Sequence, residues 1–329
     1  SLYAHDFGEL SNQMRLPQLH LNSTIQINND WSATSFSYRD GERLINGFMQ
    51  IAWQGDSSRL YPKKNFKIKL FSDAECKNKL KIKPKSDWQA NNKFNLKANW
   101  IDATQARNLV NAKLFAQATA VTPFADPKVA AKLSATQNFG QMEGFPIEVY
   151  GTGGQYLGLY TFNTKKDEKT FGMDSKDATN EAITCEGVSS TFNDVTKTID
   201  GETYATVVQD TASDELKANF TKFLQFLNTS TDDDFKAHLG DYIDVKSVIN
   251  IYLWGFMSQM WDFDAKSMIL LTWNSGKSFY MIPYDMDSTW GLHFDGAYIK
   301  DEDGWKVSPD ATRLVSTNAL YKRLHKLFL

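Results

Sequence analysis

The change of hydrophobic period along the chain limits its fold more than any other feature. In the first half apolar and polar residues alternate, as at residues 65–70 (NFKIKL), where period two places Phe66, Ile68 and Leu70 on one face. In the last third apolar residues recur every three or four positions, as over residues 216–227. Strands followed by helices predict an α+β fold, with a mainly β N-terminal part and a mainly α C-terminal part.

The same patterns predict the individual elements. Strands are expected at residues 19–21, 24–27, 48–53, 65–70, 94–96, 144–150, 156–162, 268–273 and 278–283. Helices are expected at residues 102–120, 216–227, 245–260 and 318–329, with another starting at the acidic run of residues 231–234. Asp102 is the expected N-cap of the first helix, and Asn46-Gly47 is the expected turn before the strand at residues 48–53.

These elements predict one domain over residues 17–329, preceded by an N-terminal extension of residues 1–16. Within the domain, residues 17–162 form a mainly β lobe and residues 205–329 a mainly α lobe. Between them, residues 163–204 are polar and aperiodic, and we interpret them as an insert or a lid. The last helix ends without Gly, Pro or a cap, which predicts that the natural polypeptide continues.

Charge and composition exclude several classes of protein. The 329 residues carry 36 Lys and Arg against 39 Asp and Glu, a net charge of −3, which argues against nucleic acid as a partner. Two cysteines cannot build a disulfide framework or a zinc cluster. The most apolar stretch, residues 248–260, is short and interrupted by polar residues, so we predict no transmembrane segment.

Two acidic pairs, Asp262 with Asp264 and Asp285 with Asp287, bracket the hairpin predicted at residues 268–283. If its strands pair, both acidic pairs lie at its open end, where four carboxylates would raise one another's pKa. A divalent cation such as Mg²⁺ or Mn²⁺ would remove this repulsion, because hard cations prefer oxygen ligands. Alternatively, each pair caps or ends an element beside solvent, and the pattern leaves both interpretations open.

A basic segment precedes the strand at residues 65–70. Continuing its period backwards places Lys64 on the core-facing row, where an ammonium needs an anion such as phosphate. Alternatively, Lys64 lies before the strand begins and extends to water. We interpret Arg59, Lys63, Lys67 and Lys69 more simply as a solvated basic edge.

A glycine-rich turn at residues 151–154 (GTGG) separates two predicted strands. It is superficially similar to the loops that cover nucleotides, but a hairpin turn with positive φ explains it as well and is favoured. The chain lacks the H-R-D, D-F-G and V-A-I-K strings of ordinary protein kinases, a phosphate-binding P-loop and a G-x-S-x-G elbow.

Four blocks of sequence, in a fixed order, carry a family resemblance. Residues 51–71 resemble "G-N-S-S-R…P-K-K-S-Y-x-I-K-L", and residues 95–108 resemble "L-x-A-x-x-x-D-x-T-x-x-R-N". Residues 153–160 resemble "N-G-x-Y-x-G-V-Y", and residues 240–291, with IPYDMDSTWG, resemble a helix, an acidic loop, a hairpin and "I-P-W-D-x-D-x-T-x-G". These are the blocks of the CotH kinase family, named after spore coat protein H, and the resemblance covers residues 17–329.

The resemblance implies an atypical protein-kinase-like fold that uses ATP and Mg²⁺ or Mn²⁺ to phosphorylate Ser or Thr of protein substrates. By position, Lys64, with Lys63 as the alternative, resembles the phosphate-binding lysine. Asp262 resembles the catalytic-loop aspartate, the candidate base for a substrate hydroxyl. Asp285 resembles the metal-binding aspartate, with Asp287 as a second ligand. Such a set suits phosphoryl transfer, which depends on positioning and charge neutralisation.

One position departs from the family pattern. The family usually has an Asn about five residues after the catalytic-loop aspartate, as a metal ligand, and here that position is Ser267. Asp264 is a candidate oxygen ligand in its place, and Arg59, from the first block, is a further candidate for cofactor binding. Equally, the change is compatible with a kinase that has kept its fold and lost activity.

Two other classes of function therefore stand beside the kinase. The first is an inactive kinase-fold module that serves as a structural or binding component of a larger assembly, namely a spore coat, a cell surface or a phage tail. We expect a soluble chain, and the sequence does not decide among these settings as its localisation. The second is a metal-dependent hydrolase, which is weaker because no nucleophile stands beside a base.

Overall fold

The structure is a computed structural model. It describes residues 15–23, 25–55, 57–121, 126–186, 191–299 and 318–328. The chain divides into two compact units, which we describe separately. The barrel unit comprises Ser1–Gln105 and Glu143–Lys165, and the helical unit comprises Ala106–Met142 and Lys166–Leu329. The expected mixture of strands and helices is confirmed.

Seven strands in the described part of the barrel unit form a closed barrel. They are β1 (Gln18–Leu21), β2 (Ser32–Asp40), β3 (Arg43–Gln54), β4 (Asn65–Phe71), β5 (Lys93–Lys97), β6 (Gly144–Tyr150) and β7 (Tyr156–Thr164). Their order around the barrel is β1-β2-β3-β4-β5-β7-β6. The parallel pairing of β1 with β6 closes the barrel, while the other neighbours are antiparallel.

Alternation along the strands builds the barrel core. Phe66, Ile68 and Leu70 of β4 are buried on one face, as the period-two pattern predicts. Aromatic rings fill much of the interior, and the Phe162 ring centroid lies 4.8 Å from Phe94 and 5.4 Å from Phe145. Part of the aromatic content of the chain is thus explained by core packing.

The turn expected at Asn46-Gly47 is wrong, because both residues lie inside β3 and pair with β2. The chain turns instead between Asp40 and Arg43, where Gly41 adopts a φ of 60°. Gly47 has a packing role, since a Cβ there would lie 2.8 Å from the carbonyl oxygen of Phe71. An Asn-Gly pair therefore marked a close approach between strands rather than a reversal of the chain.

The helical unit contains a four-stranded antiparallel sheet with helices. Its strands are β8 (Glu181–Cys185), β9 (Tyr204–Thr206), β10 (Met268–Thr272) and β11 (Tyr280–Pro283), in the order β11-β10-β8-β9. Its described helices are α1 (Arg107–Ala120), α2 (Pro127–Ser134), α3 (Asp214–Thr229), α4 (Asp232–Tyr242), α5 (Val245–Ser258) and α6 (Ala319–Phe328). The sheet, α3, α5 and α6 share one large hydrophobic core.

Local sequence signals locate α3 and α4. The three-and-four spacing of α3 buries Leu216, Phe220 and Phe223, as predicted. Ser213 caps α3 by accepting a hydrogen bond from the backbone N–H of Leu216, and Thr231 caps α4 in the same way. The acidic run predicted to start a helix lies in the first turn of α4, where it complements the helix dipole.

The N-cap predicted at Asp102 is wrong, since α1 begins at Arg107. The Asp102 carboxylate instead accepts hydrogen bonds from the backbone N–H of Thr104 at 3.0 Å and from its hydroxyl at 2.8 Å. Short polar side chains offer the backbone such local turns as an alternative to helix, and here the turn delays the helix.

The segment predicted as a polar insert or lid, residues 163–204, begins at the end of β7, and its described residues from Lys166 onwards contribute to the core of the helical unit. They include β8, which is buried throughout and lies between β10 and β9. Its first residue, Glu181, is buried, and its carboxylate accepts backbone N–H bonds from Ala182, Val207, Val208 and Gln209. The sequence analysis therefore missed a central strand, because the segment as a whole is polar. The role of this segment as a lid remains a hypothesis.

The unit boundaries also differ from the predicted lobes, because α1 and α2 belong to the helical unit.

The most apolar helix, α5, ends at Ser258, two residues before the predicted end, where Gln259 adopts a left-handed φ of 52°. Val248 and Ile251 of α5 are buried in the core, as expected for a core helix. Across the described ranges, no helix is both long and apolar enough to cross a bilayer.

Gly255 allows the segment after α5 to pack against that helix, because a Cβ at this position would overlap the ring of buried Phe263. We therefore expect Gly255→Ala to lower the free energy of unfolding by about 1–3 kcal/mol through overpacking. Gly240 of α4 is the matched control, since a Cβ there would meet nothing within 4 Å. Gly240→Ala should raise the stability by about 0.5–1 kcal/mol through helix propensity. Urea unfolding measures the stability change of each variant. Equal changes in the two variants would contradict the packing role of Gly255.

Candidate active site

The hairpin of β10 and β11 brings the two acidic pairs to one end of the sheet. Met268 pairs with Pro283, and the backbone N–H of Tyr284 donates to the Ser267 carbonyl at 2.8 Å. The strand pairing predicted from the sequence is therefore confirmed. The segment that carries Asp262 and the segment that carries Asp285 meet at the open end of the hairpin.

Asp285 is held in a defined conformation directly after β11. Its backbone φ of 56° is left-handed, which is uncommon for a residue other than glycine. Asn108 of α1 braces it twice: its amide Nδ2 donates to Asp285 Oδ1 at 3.3 Å, and its Oδ1 accepts the Met286 N–H at 3.1 Å. Asn108 is only 5% exposed, so the brace is part of the interior.

Asn111, one turn further along α1, holds the rest of this loop. Its Nδ2 donates to the Met286 carbonyl at 2.9 Å and to the Thr289 hydroxyl at 2.7 Å. Its Oδ1 accepts the indole N–H of Trp290 at 2.7 Å, and Asn111 itself is 1% exposed. Two amide side chains of one helix thus fix the loop of residues 285–290, which we call the aspartate loop.

Sequence reasoning missed the role of both asparagines. Asn108 stands at the end of a block quoted for its family resemblance, but the pattern assigned it no contact. Asn108 and Asn111 are three residues apart, so they share one helix face. Two amides on the helix face that also carries apolar Ala112 and Phe115 are a signal that could have indicated a buried polar partner.

Asp287 is the second carboxylate of the aspartate loop. It is half-buried, as is Asp285. The Ser288 hydroxyl donates to Asp287 Oδ1 at 3.4 Å, and the Thr289 N–H donates to the Asp287 carbonyl at 3.1 Å. Both aspartates of the loop are therefore partly exposed.

Asp262 lies in a helical turn that runs beside the aspartate loop. Its backbone carbonyl accepts the Lys266 N–H at 3.0 Å, and the Lys266 ammonium lies 3.6 Å from its Oδ2. The N–H of Trp261 donates to the Ser288 carbonyl at 3.0 Å, which ties this turn to the aspartate loop. The half-buried Asp262 is thus adjacent to the segment that carries Asp287.

Asp264 has a different environment from the other three aspartates. It is 1% exposed, and its backbone carbonyl accepts a bond from the Asn318 amide at 2.8 Å. Burial, with the charge of Asp264 as a further cause, raises the pKa of Tyr321 well above its usual range. This setting favours a structural role, and Asp264 as a metal ligand remains a prediction. Ser267 contributes its carbonyl to the hairpin at a left-handed φ of 59°.

The fit of a metal ion depends on the donors that this end of the sheet offers. Among the described residues, no group of three or more His, Cys, Asp or Glu side chains could hold a metal ion. The crowding of four carboxylates expected from the sequence is therefore not found. Mg²⁺ commonly uses one or two carboxylates and completes its shell with water and substrate phosphates. Asp285 and Asp287 match that smaller donor set.

Lys64, in the barrel unit, forms hydrogen bonds with the loop that precedes β4. Its ammonium donates to the Arg59 carbonyl at 2.7 Å and also to the Tyr61 carbonyl. It lies 5.3 Å from the ring centroid of Trp53. The strand begins only at Asn65, so Lys64 precedes the core-facing row, as the alternative interpretation expected. Its ammonium donates to backbone carbonyls, however, and the expected extension to water is not confirmed.

The interpretation of Lys63 as part of a solvated basic edge is wrong, because its ammonium packs against the barrel. Its ammonium donates to the Ala98 carbonyl at 3.0 Å and to the Leu159 carbonyl, and it lies 4.5 Å from the ring centroid of Tyr160. Burial lowers the pKa of Lys63. Gly158 permits this approach, because a Cβ there would lie 3.0 Å from Lys63 Cε.

Two further candidates lie in the barrel unit. The guanidinium of Arg59 donates to the side-chain carbonyl of Asn29 at 3.1 Å. The glycine-rich turn joins β6 to β7, with Gly153 and Gly154 at φ values of 70° and 80°. Its interpretation as a hairpin turn with positive φ is confirmed.

These features define a mixed α/β protein whose sheet ends in a braced, partly exposed pair of aspartates. The family model described as CotH kinase protein matches residues 51–327. The chain belongs to the CotH kinase family, which confirms the resemblance read from its four sequence blocks. No curated protein matches the chain.

The Asn108 brace can be tested by its effect on stability. Asn108→Ala leaves the buried N–H of Met286 without its acceptor, so we expect a loss of about 1–3 kcal/mol in the free energy of unfolding. Gln117→Ala is the control, because Gln117 is exposed on the same helix. Urea denaturation compares the two variants. If Asn108→Ala lowers the free energy of unfolding no more than Gln117→Ala does, the brace does not contribute to stability.

Proposed function

We propose that the protein is an atypical protein kinase that transfers the γ-phosphoryl group of ATP to Ser or Thr of protein substrates with Mg²⁺ or Mn²⁺. The observation that carries the proposal is the brace on Asp285. A carboxylate fixed by a buried amide at the end of a strand is the feature that a phosphoryl-transfer site needs for a metal ion. Membership of the CotH kinase family supports this choice of chemistry.

Asp285 and Asp287 are the residues that would hold the metal. A divalent cation held there would neutralise the negative charge that develops on the phosphate during transfer. The protein's contribution is to hold Asp285 in one place. Asn108 does this through its side chain, and Asn111 does it through the loop backbone. Preorganised carboxylates need no rearrangement during the reaction.

Asp262 is the proposed base that orients the substrate hydroxyl. It is half-buried, its charge is balanced by Lys266 at 3.6 Å, and its turn is tied to the aspartate loop through Trp261 and Ser288. A base must lie within hydrogen-bond reach of the proton that it accepts, so a fixed backbone around it favours catalysis.

Lys64, with Lys63 as the alternative, is the proposed phosphate-binding lysine, and Arg59 is a further candidate for ATP contact. An ammonium has three N–H donors, and two of those of Lys63 go to backbone carbonyls. A desolvated ammonium whose pKa is lowered by burial gains from a phosphate anion. The proposal also includes a kinase-like fold, with the barrel unit as the N-terminal lobe and the helical unit as the C-terminal lobe.

The competing candidate is an inactive module of the same fold. Ser267 favours it, because this residue replaces an expected metal-binding amide and serves the hairpin through its carbonyl. In that case the aspartate loop would be retained for stability. A structural role in a spore coat, cell surface or phage assembly would then be the remaining function.

Metal-dependent nucleotide binding separates the two candidates. ATP with Mg²⁺ or Mn²⁺ at about a hundred times its Kd should add about 2.7 kcal/mol to the free energy of unfolding, visible as a thermal shift. Asp285→Asn should abolish the metal-dependent part of the shift. Asp241→Asn, an exposed carboxylate of α4, should keep it. The absence of a shift with either metal, or its survival in Asp285→Asn, would contradict the proposal.

Phosphoryl transfer is tested through Asp262. Asp262→Asn should retain the thermal shift with ATP and metal, because Asp262 is not a proposed metal ligand. It should slow the labelling of protein Ser and Thr by roughly 10²- to 10⁴-fold, the usual contribution of a general base. Mass spectrometry of the labelled products measures the rate. Wild-type protein that binds ATP without transfer would favour the inactive module.

A further inference from the structure

The outer surface of the barrel unit carries a cluster of like charges on β4, on β5 and on the segment that joins them. It consists of Lys67, Lys69, Lys79 and Lys93, which we call the lysine face. Lys67 and Lys69 point away from the core, since the residues between and beside them are buried. Lys69 and Lys93 are directly opposite each other across the two strands.

Within the described residues, no carboxylate balances this cluster. In the part of the chain that the structure describes, no Asp or Glu oxygen lies within 4.0 Å of these four ammonium groups. Lys85, elsewhere in the barrel unit, by contrast pairs with Asp40 at 3.8 Å. Like charges directly opposite on a sheet destabilise it. The pKa of Lys69 is lowered first by burial and then by the charges of Lys93, Lys67 and Lys79. The fold therefore tolerates a repulsion that an anion would relieve.

Trp31 orders part of the lysine face. Its ring centroid lies 4.7 Å from the Lys67 ammonium and 4.4 Å from the Lys69 ammonium, both within cation–π range. The indole is 37% exposed, so Trp31 holds the two lysine side chains at the surface. Lysine side chains that are already ordered lose less entropy when they bind a partner.

We propose that the lysine face binds an acidic segment of a partner polypeptide. Residues on one face of a strand repeat at about 6.8 Å, and alternate side chains of an extended peptide have the same spacing. A long nucleic acid is less suited, because the net charge of −3 repels a polyanion beyond this face. The cluster also consists of lysines, which lack the bidentate phosphate geometry of arginine. The proposal does not depend on kinase activity.

The test uses the double variant Lys69→Gln with Lys93→Gln. The control is Lys236→Gln with Lys246→Gln, two exposed lysines of the helical unit, which changes the net charge by the same amount. The probe is a fluorescent peptide of alternating Glu and Gly, compared with its Gln–Gly counterpart and with single-stranded oligo-dT of equal length. Fluorescence anisotropy measures each affinity at low and at physiological salt.

The face variant should bind the acidic peptide roughly three- to tenfold more weakly than wild type, since exposed charge pairs contribute modestly. The control should bind as wild type does, and salt should weaken the interaction. Equal losses in both variants, tighter binding of oligo-dT, or no preference over the neutral peptide would overturn the proposal. If the double variant fails to fold, Lys69→Glu replaces it, because it pairs with Lys93 and should still lose peptide binding.

Discussion

The candidate site depends on the hydrogen bonds between two asparagines of α1 and the aspartate loop. Asn108 and Asp285 are 177 positions apart in the sequence, yet the amide of one fixes the carboxylate of the other. Buried amides are costly unless all their donors and acceptors are used, and Asn111 satisfies this with Met286, Thr289 and Trp290. The position of the proposed metal ligand is therefore set by helix packing as much as by the hairpin that precedes it.

Much of the fold could be predicted from the sequence, because burial on one face leaves a periodic trace. The alternation in β4 and the three-and-four spacing in α3 each predicted which side chains are buried. The hairpin of β10 and β11 was also predictable, and with it the meeting of the Asp262 and Asp285 segments. The family blocks added what periodicity cannot give, namely the identity of the family.

The failures have two causes, because a tertiary contact outweighed the local preference at one position and a competing local turn did so at another. Gly47 reads as a turn residue, but it permits the close approach of Phe71 within the barrel. Asp102 reads as a helix cap, but it closes a local turn with Thr104. The brace by Asn108 needs a partner distant in sequence, which no local pattern reveals. The residue roles at the site stay predictions, because they concern ligands rather than packing.

Glu181 gives the helical unit an unusual response to acid. Burial raises the pKa of its carboxyl group even though four backbone N–H groups donate to it. The folded state therefore holds a proton at Glu181 more readily than the unfolded chain, so this residue favours folding more in acid and less as the pH rises through its folded pKa. Asp177 and Asp194 have lowered pKa values, caused first by hydrogen bonds from threonine hydroxyls, and they lose their contribution as the pH falls. In acid, Glu181 therefore opposes the loss of stability that these two aspartates cause.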